Sequence, residues 1–276
     1  MPVFATKSRP VAPAKPPKSA KPAPAAKPPV TQVRQLARLL ERWSAPPDGG
    51  EVEVVPSGAP PLDAALADGG FRRGWLVEWL AAGRGAGAGA LALLAAREAC
   101  RTGGALVIID RGGTFYPPAL AAWGVDLSRT IVALPATPRD EAWAIDQALR
   151  CPHTAAVLAT PRSVDGRNFR RWQLAAEATG ALGLLLRPAA ARSEPTWAVV
   201  RMQVTPHGAQ PLFPVATGLP LSAAWRLQIE LLRSRGRLHA RTLQVELDSR
   251  TGSCHETNTR RVVAELAAAA PGHQTA

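Results

Sequence analysis

The stretch Trp75-Leu76-Val77-Glu78-Trp79-Leu80-Ala81-Ala82-Gly83-Arg84-Gly85-Ala86-Gly87-Ala88-Gly89-Ala90 decides how the rest of the chain is read. Trp75–Leu80 has the character of a buried strand, and Leu91–Arg101 that of a helix. A glycine-rich turn between a strand and a helix is where a phosphate-binding loop, G-x-x-x-x-G-K-[ST], belongs. The lysine that meets the β- and γ-phosphates falls on Gly89, and the Mg²⁺-holding Ser/Thr falls on Ala90. No other lysine can step in, because Lys7, Lys15, Lys18, Lys21 and Lys27 are all the chain has, and they lie in its first thirty residues. The loop has the shape for phosphate without the chemistry. Gly83, Arg84, Gly85, Gly87, Gly89 and Ala90 are therefore expected to form a degenerate, inactive nucleotide site, with Arg84 as its single cation.

Outward from this loop the chain alternates. Strand-like runs are Trp75–Leu80, Ala105–Asp110, Thr130–Pro135, Ala155–Thr160 and Ala181–Arg187, with helical runs near Leu91–Arg101, Pro117–Trp123, Asp140–Arg150 and Arg167–Thr179. Thr137-Pro138-Arg139-Asp140 carries the signals of a helix start: a capping Thr, Pro at the first position and acids in the first turn. Such alternation predicts an α/β fold, with a mostly parallel sheet and helices on both faces. The pattern then changes to period two at Trp225-Leu227-Ile229-Leu231 and Leu243-Val245-Leu247, which predicts antiparallel strands added at the sheet edge.

Charge and composition set the flanks. The formal charge is +12, and residues 1–30 supply six of it without a single acid. Those thirty residues also hold nine of the 27 prolines, so a disordered basic Pro/Ala/Lys arm is expected. Residues 31–50 read as an amphipathic helix and linker, with Leu36, Leu39, Leu40 and Trp43 on one apolar stripe as partner-binding candidates. A core over 51–236 and an extension over 237–276 with a frayed tail complete the division. Trp225 joins the partner-binding candidates because it lies outside the central alternation. A basic surplus favours polyanions, nucleic acid first, with plain solubility as the alternative.

Cys100, Cys151 and Cys254 form no C-x-x-C pair, which fits a reducing compartment. The N-terminus lacks the apolar segment of a secretory signal, and no apolar run is long enough to span a membrane. A cytoplasmic protein is expected. The five histidines have no metal-ligand spacing, Cys254-His255 reads as a lone pair in a loop, and no nucleophile–base set is legible. Neither a metal nor a cofactor is expected. Asp63 and Asp110 read as turn-organising carboxylates.

Several segments, in order, carry a family resemblance. Ser57-Gly58, Leu62-Asp63-Ala64-Ala65-Leu66 and Gly69-Gly70-Phe71-Arg72-Arg73-Gly74 lead into the first core strand; Val107-Ile108-Ile109-Asp110 forms the second. Ala121-Ala122-Trp123-Gly124-Val125-Asp126-Leu127, Glu141-Ala142-Trp143-Ala144-Ile145, Arg171-Trp172-Gln173-Leu174-Ala175-Ala176-Glu177 and Gly180-Ala181-Leu182-Gly183 follow. Over about two thirds of the chain this order resembles the RecA recombinase core. It is closer still to the ImuA family, RecA-like accessory proteins of bacterial translesion synthesis cassettes.

The resemblance implies an ATPase core stripped of its parts. The strand that should end in a Mg²⁺-supporting acid reads Ala155-Ala156-Val157-Leu158-Ala159-Thr160, the water-activating Glu falls on Gly112, and the sensing Gln falls near Arg187. It implies DNA contact through the loops Pro161–Gly166 and Pro188–Pro195, with Arg162, Arg167, Arg170, Arg171, Arg187 and Arg192 as candidates. Arg233, Arg235, Arg237 and Arg241 form a second candidate patch, and a solvated arginine surface is the alternative for both. The implied partners are an ImuB-like Y-family polymerase homologue, RecA, an error-prone replicative-type polymerase and weakly held DNA at the nucleoid. Two other readings stand beside this one: a SulA-like cell-division inhibitor, and a basic DNA-binding module without polymerase partners. An ATPase that uses arginine for phosphate is a third.

Overall fold

The computed structural model describes residues 53–83, 85–207, 224–234 and 241–257, all within the unit Pro46–Ala276. The expected basic arm, the expected helix with Leu36, Leu39, Leu40 and Trp43, the expected linker, Arg84, Arg235, Arg237 and residues 258–276 lie outside the described residues.

The chain opens with β1 (Val54–Val55), the short helix α1 (Pro60–Asp63) and β2 (Phe71–Arg72). The central alternation follows: β3 (Leu76–Ala81), α2 (Ala88–Cys100), β4 (Ala105–Ile109), α3 (Pro117–Ala122), β5 (Thr130–Ala133), α4 (Pro138–Arg150), β6 (Thr154–Ala159), α5 (Gly166–Thr179) and β7 (Leu182–Pro188). After a 3₁₀ turn at Ala189–Ser193 come β8 (Val200–Pro206), β9 (Ala224–Arg233), β10 (Arg241–Asp248) and β11 (Cys254–Glu256). One nine-stranded sheet has the order β11-β10-β9-β8-β3-β7-β6-β4-β5, and β1 pairs only with β2. The six strands from β5 to β8 are parallel, and β9, β10 and β11 are antiparallel.

The predicted alternation is therefore the one found. The helix start at Thr137-Pro138 also has the predicted chemistry, and the structure shows a second capped start at Asp165. Thr137 caps α4 by accepting from the Asp140 amide at 3.2 Å, and Asp165 caps α5 by accepting from the Asn168 amide at 2.9 Å. The pair Cys254-His255 lies in β11, not in a loop, because it hydrogen-bonds to β10 across Leu247 and Glu246.

Period-two side chains split the core in two. Val77, Trp79, Leu106, Ile108, Ala156, Leu158, Leu182 and Leu184 point to the face covered by α1 and α2, which Leu227, Ile229, Val245 and Leu247 of β9 and β10 extend. Leu76, Val107, Ile109, Val157, Ala159 and Leu185 point to the face covered by α4 and α5. Gly183 leaves room on that second face: a Cβ there would sit 2.2 Å from Leu76 Cδ2.

One charge lies in the middle of this apolar sheet. Glu78, on β3, has no solvent exposure. Its Oε1 accepts from Arg187 Nη1 of β7 at 2.7 Å, and its Oε2 accepts from Arg201 Nε of β8 at 2.6 Å. Arg201 donates further to the carbonyls of Ala191, Arg192 and Glu194, and Arg187 to Glu194. Such a cluster is costly to break and cheap to replace whole. Glu78→Leu is expected to lower stability by about 3–5 kcal/mol, because it leaves the buried Arg201 guanidinium without an ion pair and Arg187 with Glu194 alone. Adding Arg187→Leu and Arg201→Met is expected to recover most of that loss in urea unfolding; a triple variant weaker than the single one contradicts this account.

Candidate functional site

The glycine-rich loop sits at the C-terminal end of β3 and leads into α2, at the end of the parallel strands where open α/β sheets bind ligands. The Ala82 amide donates to the Val204 carbonyl at 3.2 Å, and the Ala86 amide to the Gly83 carbonyl at 3.3 Å. Gly87 is the N-cap of α2, with φ +84°, and the Leu91 amide donates to its carbonyl at 3.1 Å. A Cβ at Gly87 would sit 2.6 Å from both terminal carbons of Leu227, on β9. The loop is thus clamped from behind by one of the added antiparallel strands.

The position of the missing lysine is open. A Cβ at Gly89 would meet only Leu186 Cδ1, at 3.9 Å, so space does not dictate glycine there. The loop lines a cleft of about 430 Å³, closed on its other sides by Leu93, Phe115, Tyr116, Leu120, Trp123, Thr160, Leu186 and Trp225. Among the described lining residues none is charged. Trp225 is half-buried and turned into this cleft, edge-on to Trp123 with ring centroids 6.4 Å apart; Trp123 Nε1 donates to the Ser249 carbonyl at 2.9 Å.

Asp110 follows β4 and is buried. Its carboxylate accepts from the amides of Gly112, Thr114 and Phe115 and from the Thr114 hydroxyl, so both oxygens are engaged in holding the loop that presents Phe115 and Tyr116 to the cleft. Asp63 likewise organises a turn, accepting from the Ser57 amide at 2.8 Å, and burial holds its carboxyl above the usual range. Gly112, at the position of the water-activating acid, is exposed. Thr160 stands where β6 would end in a metal-supporting carboxylate. No group of three or more His, Cys, Asp or Glu side chains converges among the described residues.

The candidate arginines have divergent fates. Arg187 is buried and bonded to Glu78 and Glu194, so in this fold it faces no ligand; the reading of Arg187 as a nucleic-acid contact is corrected by its burial. Arg192 is exposed but forms a two-pronged pair with Glu230 at 2.7 Å, which holds the Glu230 carboxyl below its usual range. Arg171 pairs with Asp146 at 2.9 Å. Arg162, Arg167 and Arg241 are exposed. Arg170 lies over the Trp197 ring, its guanidinium carbon 4.9 Å from the centroid, and Arg233 donates to the carbonyl of neighbouring Thr196 at 2.9 Å. One arginine of each candidate group, Arg170 and Arg233, thus reaches Thr196-Trp197.

The remaining titratable groups are off this site. Burial pushes the Cys100 and Cys254 thiols up to about 11 and about 12, so neither is a poised nucleophile. Glu141 is buried beneath Arg111 and held above the usual carboxylate range by desolvation. The sequence reading missed a different surface. Edge strand β5 exposes apolar side chains on both faces, with Ile131 at 57%, Val132 at 43% and Leu134, just beyond it, at 66%.

No family model matches the chain. It is 37% identical over 87 residues to the RecA protein of Lactobacillus delbrueckii subsp. bulgaricus, and 35% identical over 88 residues to that of Treponema denticola. Against the RecA protein of Arthrospira platensis it is 36% identical over 100 residues. These matches take in 32–36% of this chain and only 21–27% of the curated relatives. The crystal structure of the RadB recombinase superposes with a TM-score of 0.55 at 16% identity, over 74% of this chain and all of that one. The chain is thus similar to RecA proteins in sequence over about a third of its length, and to the RadB recombinase in fold over about three quarters of it.

Proposed function

We propose that this chain is a non-catalytic RecA-like accessory protein of damage-induced translesion DNA synthesis. It acts by contact, linking RecA and DNA to an ImuB-type Y-family-like partner and an error-prone polymerase. The observation that carries the non-catalytic part is the cleft, whose described lining residues carry no charge and leave Arg84 of the loop as the one cation in the glycine-rich stretch. A triphosphate entering it would give up water without a lysine, a metal-holding hydroxyl or a strand-end acid to compensate, and burying unpaired charge is strongly unfavourable. Loop backbone amides alone are a weak substitute for these groups.

Action by contact is supported by the apolar edge at β5. Exposed β-branched and leucine side chains on an unpaired edge are an aggregation hazard unless a partner covers them. The basic arm and exposed arginines add a sequence-independent attraction to DNA that weakens with ionic strength.

Calorimetric titration with ATP, with and without Mg²⁺, is expected to give no saturable heat at millimolar nucleotide, and the protein no phosphate release; saturable binding or turnover overturns the non-catalytic reading. The second expectation concerns the edge. Leu134→Asp changes an exposed side chain, so its melting temperature stays within about 2 °C of the parent. In cells, damage-induced mutation frequency falls to the level of a deletion of this protein. If the variant restores full mutagenesis to the deletion strain, the edge is not the partner surface.

A further inference from the structure

We infer that the outward faces of α4 and α5, centred on Trp143, dock an acidic protein segment that carries apolar side chains. The inference shares with the proposed function only the premise that the protein acts by contact. It adds a surface and the chemistry of what covers it.

The helix pattern sets this surface apart. In α4, Ile145 and Leu149 are buried, while Arg139, Trp143, Gln147 and Arg150 recur at spacings of four, four and three residues and make one exposed stripe. Trp143 stands within that stripe, 62% exposed. Packing of the sheet does not use its indole, because it lies on the polar side of an otherwise regular amphipathic helix. In α5, Phe169, Trp172 and Ala176 are buried, and Arg167, Arg171 and Leu174 form the exposed stripe, with Leu174 at 49%. The two helices cover the same face of the sheet and are joined by Asp146, whose carboxylate accepts from Arg150 Nε at 3.0 Å and from Arg171 Nε at 2.9 Å. Both guanidiniums remain about half exposed. Trp143 lies one turn before this bridge on α4, and Leu174 one turn after it on α5. A fixed pair of arginines thus stands between two exposed apolar side chains.

Charge selects the occupant. The two stripes carry four arginines and no acid. The acids around them are engaged within the fold: Asp146 in the bridge, Asp140 by the Thr137 hydroxyl at 2.7 Å, Asp165 by Asn168, and Glu177 by Gln173 at 2.8 Å. A partner that matches this surface therefore supplies carboxylates, which guanidiniums bind with defined geometry. Tryptophan and arginine are also the side chains that most often anchor protein interfaces. Nucleic acid fits less well, because phosphates make no use of Leu174 and the Asp146 carboxylate at the centre repels a continuous phosphate chain.

The test places the photo-crosslinker p-benzoylphenylalanine at position 143 of the full chain in the protein's own damage-treated cells, and maps the joined peptides by mass spectrometry. The expected product is one protein segment with net negative charge and at least one apolar side chain beside the crosslink. Arg139→Glu should lower its yield about tenfold, and lysines in place of the contacted acids should restore the yield to that variant. Position 139 is exposed, so the melting temperature of Arg139→Glu should stay within about 2 °C of the parent. A basic or neutral segment, a nuclease-sensitive product, a second copy of this chain or the absence of a discrete product overturns the inference and leaves the proposed function standing. An acidic segment from a protein unrelated to RecA or a polymerase supports the inference and overturns the partners proposed above. If deleting this protein leaves damage-induced mutagenesis unchanged, the proposed function fails whatever position 143 touches.

Discussion

Glu78 is the constraint on which the architecture turns. A carboxylate with no solvent exposure at the centre of a parallel sheet must be answered by cations, and the cations come from the strands on either side, Arg187 on β7 and Arg201 on β8. Once Arg201 is fixed, its remaining N–H groups hold three carbonyls of the segment that returns from β7 to β8. That segment then lies against α5, with Trp197 beneath Arg170. One buried charge in the strand that feeds the glycine-rich loop thereby fixes the surface on the opposite face of the sheet.

The loop itself separates shape from chemistry. Its backbone turn depends on glycine at a left-handed position, Gly87, and on Leu227 filling the space that a side chain there would occupy. Neither depends on the lysine or the hydroxyl that nucleotide chemistry needs, and Gly89 has room for a larger residue. The glycine turn and the packing of β9 therefore hold the shape of the loop independently of those two groups. Gly89 opens on an apolar cleft in which Trp123 and Trp225 meet edge to face.

The sequence was legible where periodicity and caps carry the signal. Mostly apolar strand runs, the helix opened by Thr137-Pro138, and the change to period two at Trp225 all led to the right elements in the right order. What escaped was long-range. Glu78 stands inside an apolar run, and its partners lie 109 and 123 residues further on, so nothing local marks it as a centre. Arg187 reads like any surface arginine until the fold buries it. Trp197 meets Arg170 only because α5 and the segment after β7 share one face. Ile131 and Val132 look like core residues in sequence, and only the strand order puts them at an edge. The short pair β1–β2 and α1 fall below the length at which periodicity can be read.

We propose that this chain, with its RecA-like fold, works through its partners. Affinity capture from the protein's own damage-treated cells, with nuclease treatment and high-salt washing before mass spectrometry, tests it directly. The account predicts that a Y-family-like polymerase homologue or RecA survives the washes. Recovery of nucleic acid alone, lost in salt, or of a cytoskeletal GTPase in place of a polymerase, would contradict it.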